Sequence, residues 1–369
     1  MNVSLLSENL NKKLLFTNHA ISSKGQLPIL SNFLIEAKNG LLTISATDLE
    51  IGIRVEIPAK VDQEGIVAIP AKTFCELISM IPSGKIILSL KKEGLELTGN
   101  KTKAIFPISS AEDFPKLYEE MGEKFVDLDK GFVDEEMSRV VFAAGQDSAR
   151  PVLSGVLMGR RGGKFIIAAT DGFRLSLKER SADKTGDGED VSVVIPSRVI
   201  KDVVSMGKQD GNVSVFKSEK NNQIIFSCAD TVLVGRLIEG DFPEYEKIIP
   251  SSHSTRVFFD REEMQKAVKT CYIFARETAN IVKISIEKDR VIVSANTPSV
   301  GDNSVEVEAR MEGEKGEIAF NARYLLELFS NVSEDSMIFE MSGSLKPGVF
   351  KVEKDPDFLH LIMPIQVQE

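Results

Sequence analysis

A chain of 369 residues is longer than one ordinary hydrophobic core organises, and 42% hydrophobic with 27% charged residues excludes disordered and fibrous classes. The formal net charge of −10 argues against a partner held by overall attraction to phosphate, but net charge is blind to where the cations sit. The amino terminus lacks a basic start followed by an apolar block, and no apolar run nears the ~18 residues that cross a bilayer, so a cytoplasmic location with no membrane partner is expected.

The first helical pattern sets Leu10, Leu14, Thr17, His19 and Ile21 near one face, with Lys12 and Lys13 elsewhere, and Lys24 to Pro28 ends it. Strand patterns over 33–37 and 42–46 flank Asn39-Gly40, a strong hairpin signal. After an apolar strand over 66–69, Pro70 opens a helix whose stripe is Phe74, Leu77, Ile78 and Ile81. Further strands are expected over 85–90, 95–97 and 103–108. A second pass gives a helix near 135–144, strands over 156–158 and 165–169, and a polar loop over 181–190. Its second helix turns Val199, Ile200, Val203 and Val204 inward and Arg198, Lys201 and Lys208 outward. A third pass has a helix over 261–275, strands over 282–286 and 291–295, and a stripe of Leu325, Leu328, Phe329 and Val332. Phe114-Pro115 and Phe242-Pro243 close the first two passes, and the stretches after them, 118–122 and 244–254, read as linkers.

Two markers show that these passes are copies. Ala46-Thr47-Asp48-Leu49 returns as Ala169-Thr170-Asp171-Gly172-Phe173-Arg174-Leu175 and is echoed weakly by Ala295-Asn296-Thr297. Ile69-Pro70-Ala71-Lys72, Ile195-Pro196-Ser197-Arg198 and Phe320-Asn321-Ala322-Arg323 each set a helix start after an apolar strand. Both recur with a period of about 125 residues, which is a domain and not a solenoid repeat. The expected fold is α+β, three repeated domains over 1–120, 128–246 and 247–369, each with two helices on antiparallel sheets.

No catalytic constellation emerges. His19, His253 and His360 fall in different copies, so no triad can be nominated. Asp48 and Asp171 each follow a strand, where Asp caps the backbone of a turn. Gly159-Arg160-Arg161-Gly162-Gly163-Lys164 lacks the spacing of a phosphate loop and reads as a hairpin tip. Cys75, Cys228 and Cys271 are isolated in apolar surroundings, and no ligand spacing suggests zinc or calcium, so neither a disulfide framework, a metal nor a cofactor is expected. Binding is the leading class. Lys266, Lys269 and Arg276 share a side of the third-copy helix opposite Met264, Ala267, Val268 and Cys271, and Lys72, Arg198 and Arg323 occupy one slot in the three copies.

At this point the chain resembles a family. Leu27 to Asn32, Ala46 to Glu50, Ser148 to Gly155, Ala169 to Leu175, Gly240-Asp241-Phe242-Pro243 and Ile362-Met363-Pro364, in this order, are similar to the bacterial DNA polymerase III beta subunits, the replicative sliding clamps. The resemblance implies a ring-shaped head-to-tail homodimer with the DNA-clamp fold, helices lining the hole, around double-stranded DNA gripped without sequence reading. It implies DNA-facing residues Lys24, Lys72 and Arg198, joined by the outward Lys201, Lys266 and Lys269, and interface residues Phe106, Ile108, Ile273 and Phe274. It also implies a peptide-docking pocket for the DNA polymerase III alpha subunit, the clamp loader, other polymerases and repair proteins. Its wall would be Leu153, Thr170, Gly172, Phe173, Arg174, Leu175, Pro243, Lys247, Ile248, Asn321, Tyr324, Met363, Pro364 and Ile365, with Arg174 and Asn321 offering polar contacts. Phe173 stands where histidine is common, Ala279 where some members carry a large aromatic, and Gln366-Val367-Gln368-Glu369 where a basic residue often follows. These departures imply partner preferences that do not transfer from relatives. Two other classes stay open, a peptide-binding scaffold without a DNA role and a hydrolase using Asp48 and Asp171.

Overall fold

Short turns between apolar segments leave neighbouring strands no choice but to run antiparallel, and every strand pairing among the described residues does so. The computed structural model describes residues 1–22, 27–147, 149–181, 190–207, 211–277, 279–298 and 301–366. Lys24, Lys208 and most of the loop expected over 181–190 lie outside the described residues. The strands form sheets of five, eight and twelve. Asn39 and Gly40, with φ of 51° and 78°, join Asn32–Lys38 to Leu41–Thr47 in the expected tight hairpin.

The second helix of each copy starts where the markers place it: α2 is Ala71–Met80, α4 is Ser197–Gly207 and α6 is Ala322–Asn331. Pro70 is the N-cap of α2, and Asn321 Oδ1 accepts from the Arg323 amide to cap α6. The first helices are less alike. The first copy has α1, Ser7–Thr17, which buries Leu10, Leu14 and Thr17. A 3-10 turn over Asn18–Ala20 then leaves His19 exposed. In the third copy α5, Arg261–Ala275, is capped by Asp260, which accepts from the Glu263 amide.

The helix expected over 135–144 is instead a π turn over Phe132–Glu136 and a single α turn, α3, over Ser138–Val141. A π turn takes one residue more than an α turn and so rotates the side chains beyond it about the helix axis. Arg139 is thereby buried, with ion pairs to Glu334 and Asp355.

Several strands fall outside the strand expectations above, among them Asn2–Leu6, Ile51–Pro58, Arg174–Ser181 and Gly301–Gly313. The last three are counterparts, the strand that follows the Ala46-Thr47, Ala169-Thr170 or Ala295-Asn296 marker of each copy, and the first two of these join copies. By contact density the chain divides into two compact units. One comprises Met1–Asp134 and Arg198–Leu237; the other comprises Glu135–Ser197 and Ile238–Glu369. In the first unit Ile51–Pro58 pairs with Thr231–Arg236, the last strand of the next copy. In the second unit Arg174–Ser181 pairs with Asp355–Ile362 in the same way. Each joint carries a matching ion pair, Lys13 with Asp230 in the first unit and Arg139 with Asp355 in the second.

The third-copy core sits between its helices and sheet. Phe350 is its centre, stacked on Phe339 at 4.8 Å and meeting Phe320 and Phe329 edge-on at 5.9 and 6.3 Å. Phe350→Ala removes a fully enclosed ring from this aromatic packing. The expected loss is about 3–5 kcal/mol of unfolding free energy, measured by denaturant titration.

Candidate peptide-docking site

The site grows from the Thr-Asp turn that repeats in the first two copies. In the second, Thr170 Oγ1 donates to the Arg174 carbonyl at 2.6 Å and accepts from the Gly172 amide at 3.0 Å. Asp171 Oδ1 accepts from the amides of Phe173 and Arg174 at 2.9 and 3.0 Å. The first copy repeats this pattern with Thr47 and Asp48 on residues 49–51. Both Asp side chains are therefore turn caps, as their position after a strand predicts. The third-position residue needs positive φ: Gly172 has 92°, while Leu49 holds 76° without that freedom. The weak third echo does other work, with Thr297 Oγ1 donating to the Phe274 carbonyl at the end of α5.

This turn aims Phe173 outward, 57% exposed, at the start of the strand that pairs with the carboxy-terminal strand. Across that pairing Arg174 faces Ile362, and Ile362 in turn faces Gly348. Immediately beyond, the Met363 amide donates to the Phe173 carbonyl at 2.8 Å, and the Ile365 amide donates to the Ala319 carbonyl at 2.8 Å. Phe173 and Met363 are thus joined through backbone, with Pro364 and Ile365 led toward the strand that ends at Asn321 and α6. Pro243, Lys247 and Ile248 are exposed, in a segment pinned by Tyr245. Tyr245 is buried in one cluster with Leu157, Leu175 and Leu361. Leu153 lies at the edge of the same turn, within 3.9 Å of where a Gly172 side chain would begin.

Two expectations for the wall change. Arg174 is only 7% exposed and its donors are committed inward: Nε to Asp171 at 3.0 Å, Nη2 to the Phe142 carbonyl at 3.1 Å, and Nη1 beside Glu327 at 2.6 Å. Its guanidinium also lies over the Tyr324 ring at 4.6 Å and the Phe142 ring at 5.4 Å. It is a buttress and not a free polar contact, because the neighbouring carboxylates and rings already satisfy it. Leu175 is wholly buried in the core cluster, since alternation along a strand sends it to the face opposite Arg174. Burial pushes the Tyr324 phenol above its ordinary range. One further exposed apolar residue is Leu345, 65% exposed, on the loop leading into Gly348, which pairs with Ile362. A lone leucine in Ser342-Gly343-Ser344-Leu345-Lys346-Pro347 is a signal the sequence did carry.

Of the cations expected to face DNA, Lys72, Arg198, Lys201, Lys266 and Lys269 are all exposed on their helices, with Lys24 outside the described residues. Lys72, Arg198 and Arg323 take the second position of α2, α4 and α6. Among the interface expectations, Ile108 and Ile273 are exposed and Phe274 is half-buried against its own core. Phe106 is the correction. It is 4% exposed and packs edge-on against Phe74 at 5.2 Å, so it belongs to the core of its own copy.

Burial raises the thiols of Cys75 and Cys271 to about 11, well away from nucleophilic thiolates. Among the described residues no group of three acidic, Cys or His side chains is arranged for a metal. Copies of one α+β unit, joined strand to strand and bearing an apolar surface patch, define a clamp-type binding protein. Family models cover nearly the whole chain: the N-terminal domain of the DNA polymerase III beta subunit over residues 1–118, its central domain over 127–244 and its C-terminal domain over 246–366. The beta sliding clamp of Chlamydia muridarum is 28% identical over 365 residues, covering 98% of this chain and 97% of the relative. Among solved structures, the DNA polymerase III beta subunit of Thermotoga maritima superposes with a TM-score of 0.91 at 25% identity, covering 100% of both chains. A sliding clamp of Bartonella birtlesii bound to griselimycin superposes at 0.92 with 26% identity, again over 100% of both. The chain belongs to the DNA polymerase III beta subunit family. It is a DNA sliding clamp serving a DNA polymerase, a processivity factor with no catalytic step of its own.

Behind the site, His360 lies fully buried, its Nδ1 2.6 Å from Ser176 Oγ and its ring stacked 5.3 Å from Phe142. Its Nε2 meets no partner among the described residues. Burial, reinforced by the Arg174 charge, holds the imidazole well below its ordinary range. Below about pH 6.5 the unfolded chain takes up a proton that the folded ring refuses, so stability falls with pH by up to about 1.4 kcal/mol per unit. His360→Gln should lose that slope between about pH 6.5 and 5 in denaturant titrations.

Proposed function

We propose that two copies of this chain close head to tail into a ring that encircles double-stranded DNA and slides without reading sequence. The observation that carries this reading is the rule by which copies are joined. The strand after the marker in copy one pairs with the last strand of copy two, and the strand after the marker in copy two with the last strand of copy three. Under the same rule, the strand after the marker in copy three and the last strand of copy one remain to be paired. Among the described residues, 301–308 of Gly301–Gly313 pair on one side only, with Arg290–Thr297, and Thr102–Phe106 pairs only with Gly94–Gly99. The first of these strands bears Asp302, Glu306 and Glu308, while Lys101 and Lys103 lie at the second. Opposite charge on two free edges favours their mutual pairing and a closed dimer in which no edge is left over. Ile108 and Ile273 supply exposed apolar contacts near these edges.

The domain limits we infer are 1–120, 128–246 and 247–369. Lys72, Arg198, Lys201, Lys266 and Lys269 would face phosphates, and Lys24 with them. The DNA polymerase III alpha subunit, the clamp loader, other polymerases and repair proteins would dock short linear motifs on Phe173, Met363, Ile248 and their neighbours. The griselimycin complex of the Bartonella birtlesii clamp supports a ligand-binding surface on this fold. Tethering raises the local concentration of polymerase at the primer end and involves no chemistry in the clamp. A cytoplasmic location accords with work on bacterial DNA.

Phe173→Ser and Met363→Ser each remove an exposed apolar anchor without touching the core. Each should weaken an alpha-subunit motif peptide roughly tenfold by fluorescence anisotropy, at unchanged melting temperature. Unchanged affinity in both would defeat the docking assignment.

Ring closure is tested by loader-assisted assembly on nicked circular DNA followed by linearisation in high salt. The protein should be lost only on linearisation, and Ile273→Asp should give monomers by light scattering and no retention. Equal loss from circular and linear DNA would mean ordinary electrostatic binding.

A further inference from the structure

Of the three cations that share the helix-start slot, Arg198 alone has a carboxylate ion pair among the described residues. Its Nη1 lies 2.7 Å from Asp48 Oδ2, and Nη2 donates to the His19 carbonyl. Asp48 is not free to swing away, because its Oδ1 accepts from the amides of Glu50 and Ile51 at 3.0 and 2.8 Å. One helical turn beyond Arg198, Asp202 pairs with His19 Nδ1 at 2.8 Å, which ties the end of α1 to α4 at a second point.

The repeat explains why this cation differs from Arg323. In the second copy the carboxylate equivalent to Asp48 is Asp171, and its Oδ2 is taken by Arg174 Nε at 3.0 Å. Ile51 stands at the position of Arg174 in the first copy and offers no cation, so Asp48 Oδ2 reaches α4 instead. The turn is the same; one substitution redirects its spare oxygen. The carboxylates of Asp48 and Asp202 thus both meet partners beside the start of α4, Asp48 on Arg198 and Asp202 on His19.

We propose that Asp48 is a positioning residue for DNA, holding Arg198 in an internal ion pair from which phosphate must win it. This rests on the reading of the helix starts as DNA-facing. An exposed pair of this kind biases an equilibrium by no more than about fivefold. Phosphate therefore competes for Arg198 and is not shut out, and the clamp grips duplex more weakly, and with a shallower salt dependence, than its exposed cations imply. A loose grip that exchanges readily is what sliding requires.

The test is direct binding of the full-length protein to linear duplex DNA, followed by anisotropy over a range of salt. Asp48→Asn keeps the oxygen that caps the turn and removes the charge that holds Arg198. It should bind about two- to fivefold tighter at low salt, with a log–log salt slope steeper by up to about 0.9. Asp48→Asn combined with Arg198→Ala should fall back to the value of Arg198→Ala alone, and Glu50→Gln, which removes a charge from the same turn, should leave the slope unchanged. The proposal is overturned if Asp48→Asn matches the unsubstituted protein while Lys72→Ala and Arg198→Ala weaken binding; the DNA-facing reading then stands. It is overturned equally if the double variant keeps the tighter binding, which would make the gain one of net charge. If Lys72→Ala, Arg198→Ala and Lys201→Ala all leave binding untouched, the DNA-facing reading fails and takes the proposal with it.

Discussion

The constraint on which the molecule depends is the backbone ladder between the strand after the marker in one copy and the last strand of the next. Backbone N–H and C=O groups at a sheet edge stay unsatisfied, or solvated and open to other chains, until another strand covers them. Ile51–Pro58 and Arg174–Ser181 each solve this with a strand from the following copy. Sheets therefore run across copy boundaries, and compact units form around the joints instead of around the copies. A repeat that satisfies its edges in this way has no natural end within one chain, which is why the proposed ring needs a second copy.

The proposed docking site is a by-product of one such joint. Pairing Arg174 with Ile362 and Ile362 with Gly348 brings three strand ends level, and Phe173, Met363 and the loop carrying Leu345 project past them. A Thr-Asp turn, closed by its own side chains, holds Phe173 outward, and the buried Arg174 braces the turn against Phe142, Tyr324 and Glu327. Anchoring by backbone and buried charge leaves the exposed surface apolar, so affinity there comes from desolvating a partner's hydrophobic side chains. The first copy makes the same turn from Asp48 but spends the spare carboxylate oxygen on Arg198, so one motif serves two electrostatic ends.

Much of this was legible in the residues. The period, the Asn39-Gly40 hairpin, the starts of α2, α4 and α6 and the whole of α5 arise from local signals: turn residues, caps and apolar stripes that act over a few positions. The strands after the markers do alternate, Leu175 and Leu177 between Arg174, Ser176 and Lys178, and Val305, Val307, Ala309 and Met311 between Glu and Arg. Alternation shows neither that the Arg, Ser and Lys face is buried as well nor which strand covers the edge, because both depend on segments far away in the chain.

The sequence by itself determined the triplication, the α+β class, the positions of the helix starts and the capping role of Asp48 and Asp171, all properties set within a few residues of the chain. Only the tertiary structure decided which exposed-looking residues are core and which polar ones are committed. Phe106 went to Phe74, Leu175 to the interior, and Arg174 to a cage of groups drawn from Phe142, Asp171, Tyr324 and Glu327. The reason is physical: capping and periodicity are local, whereas burial and the partner of a charge depend on segments far apart in the chain, which only the fold brings together.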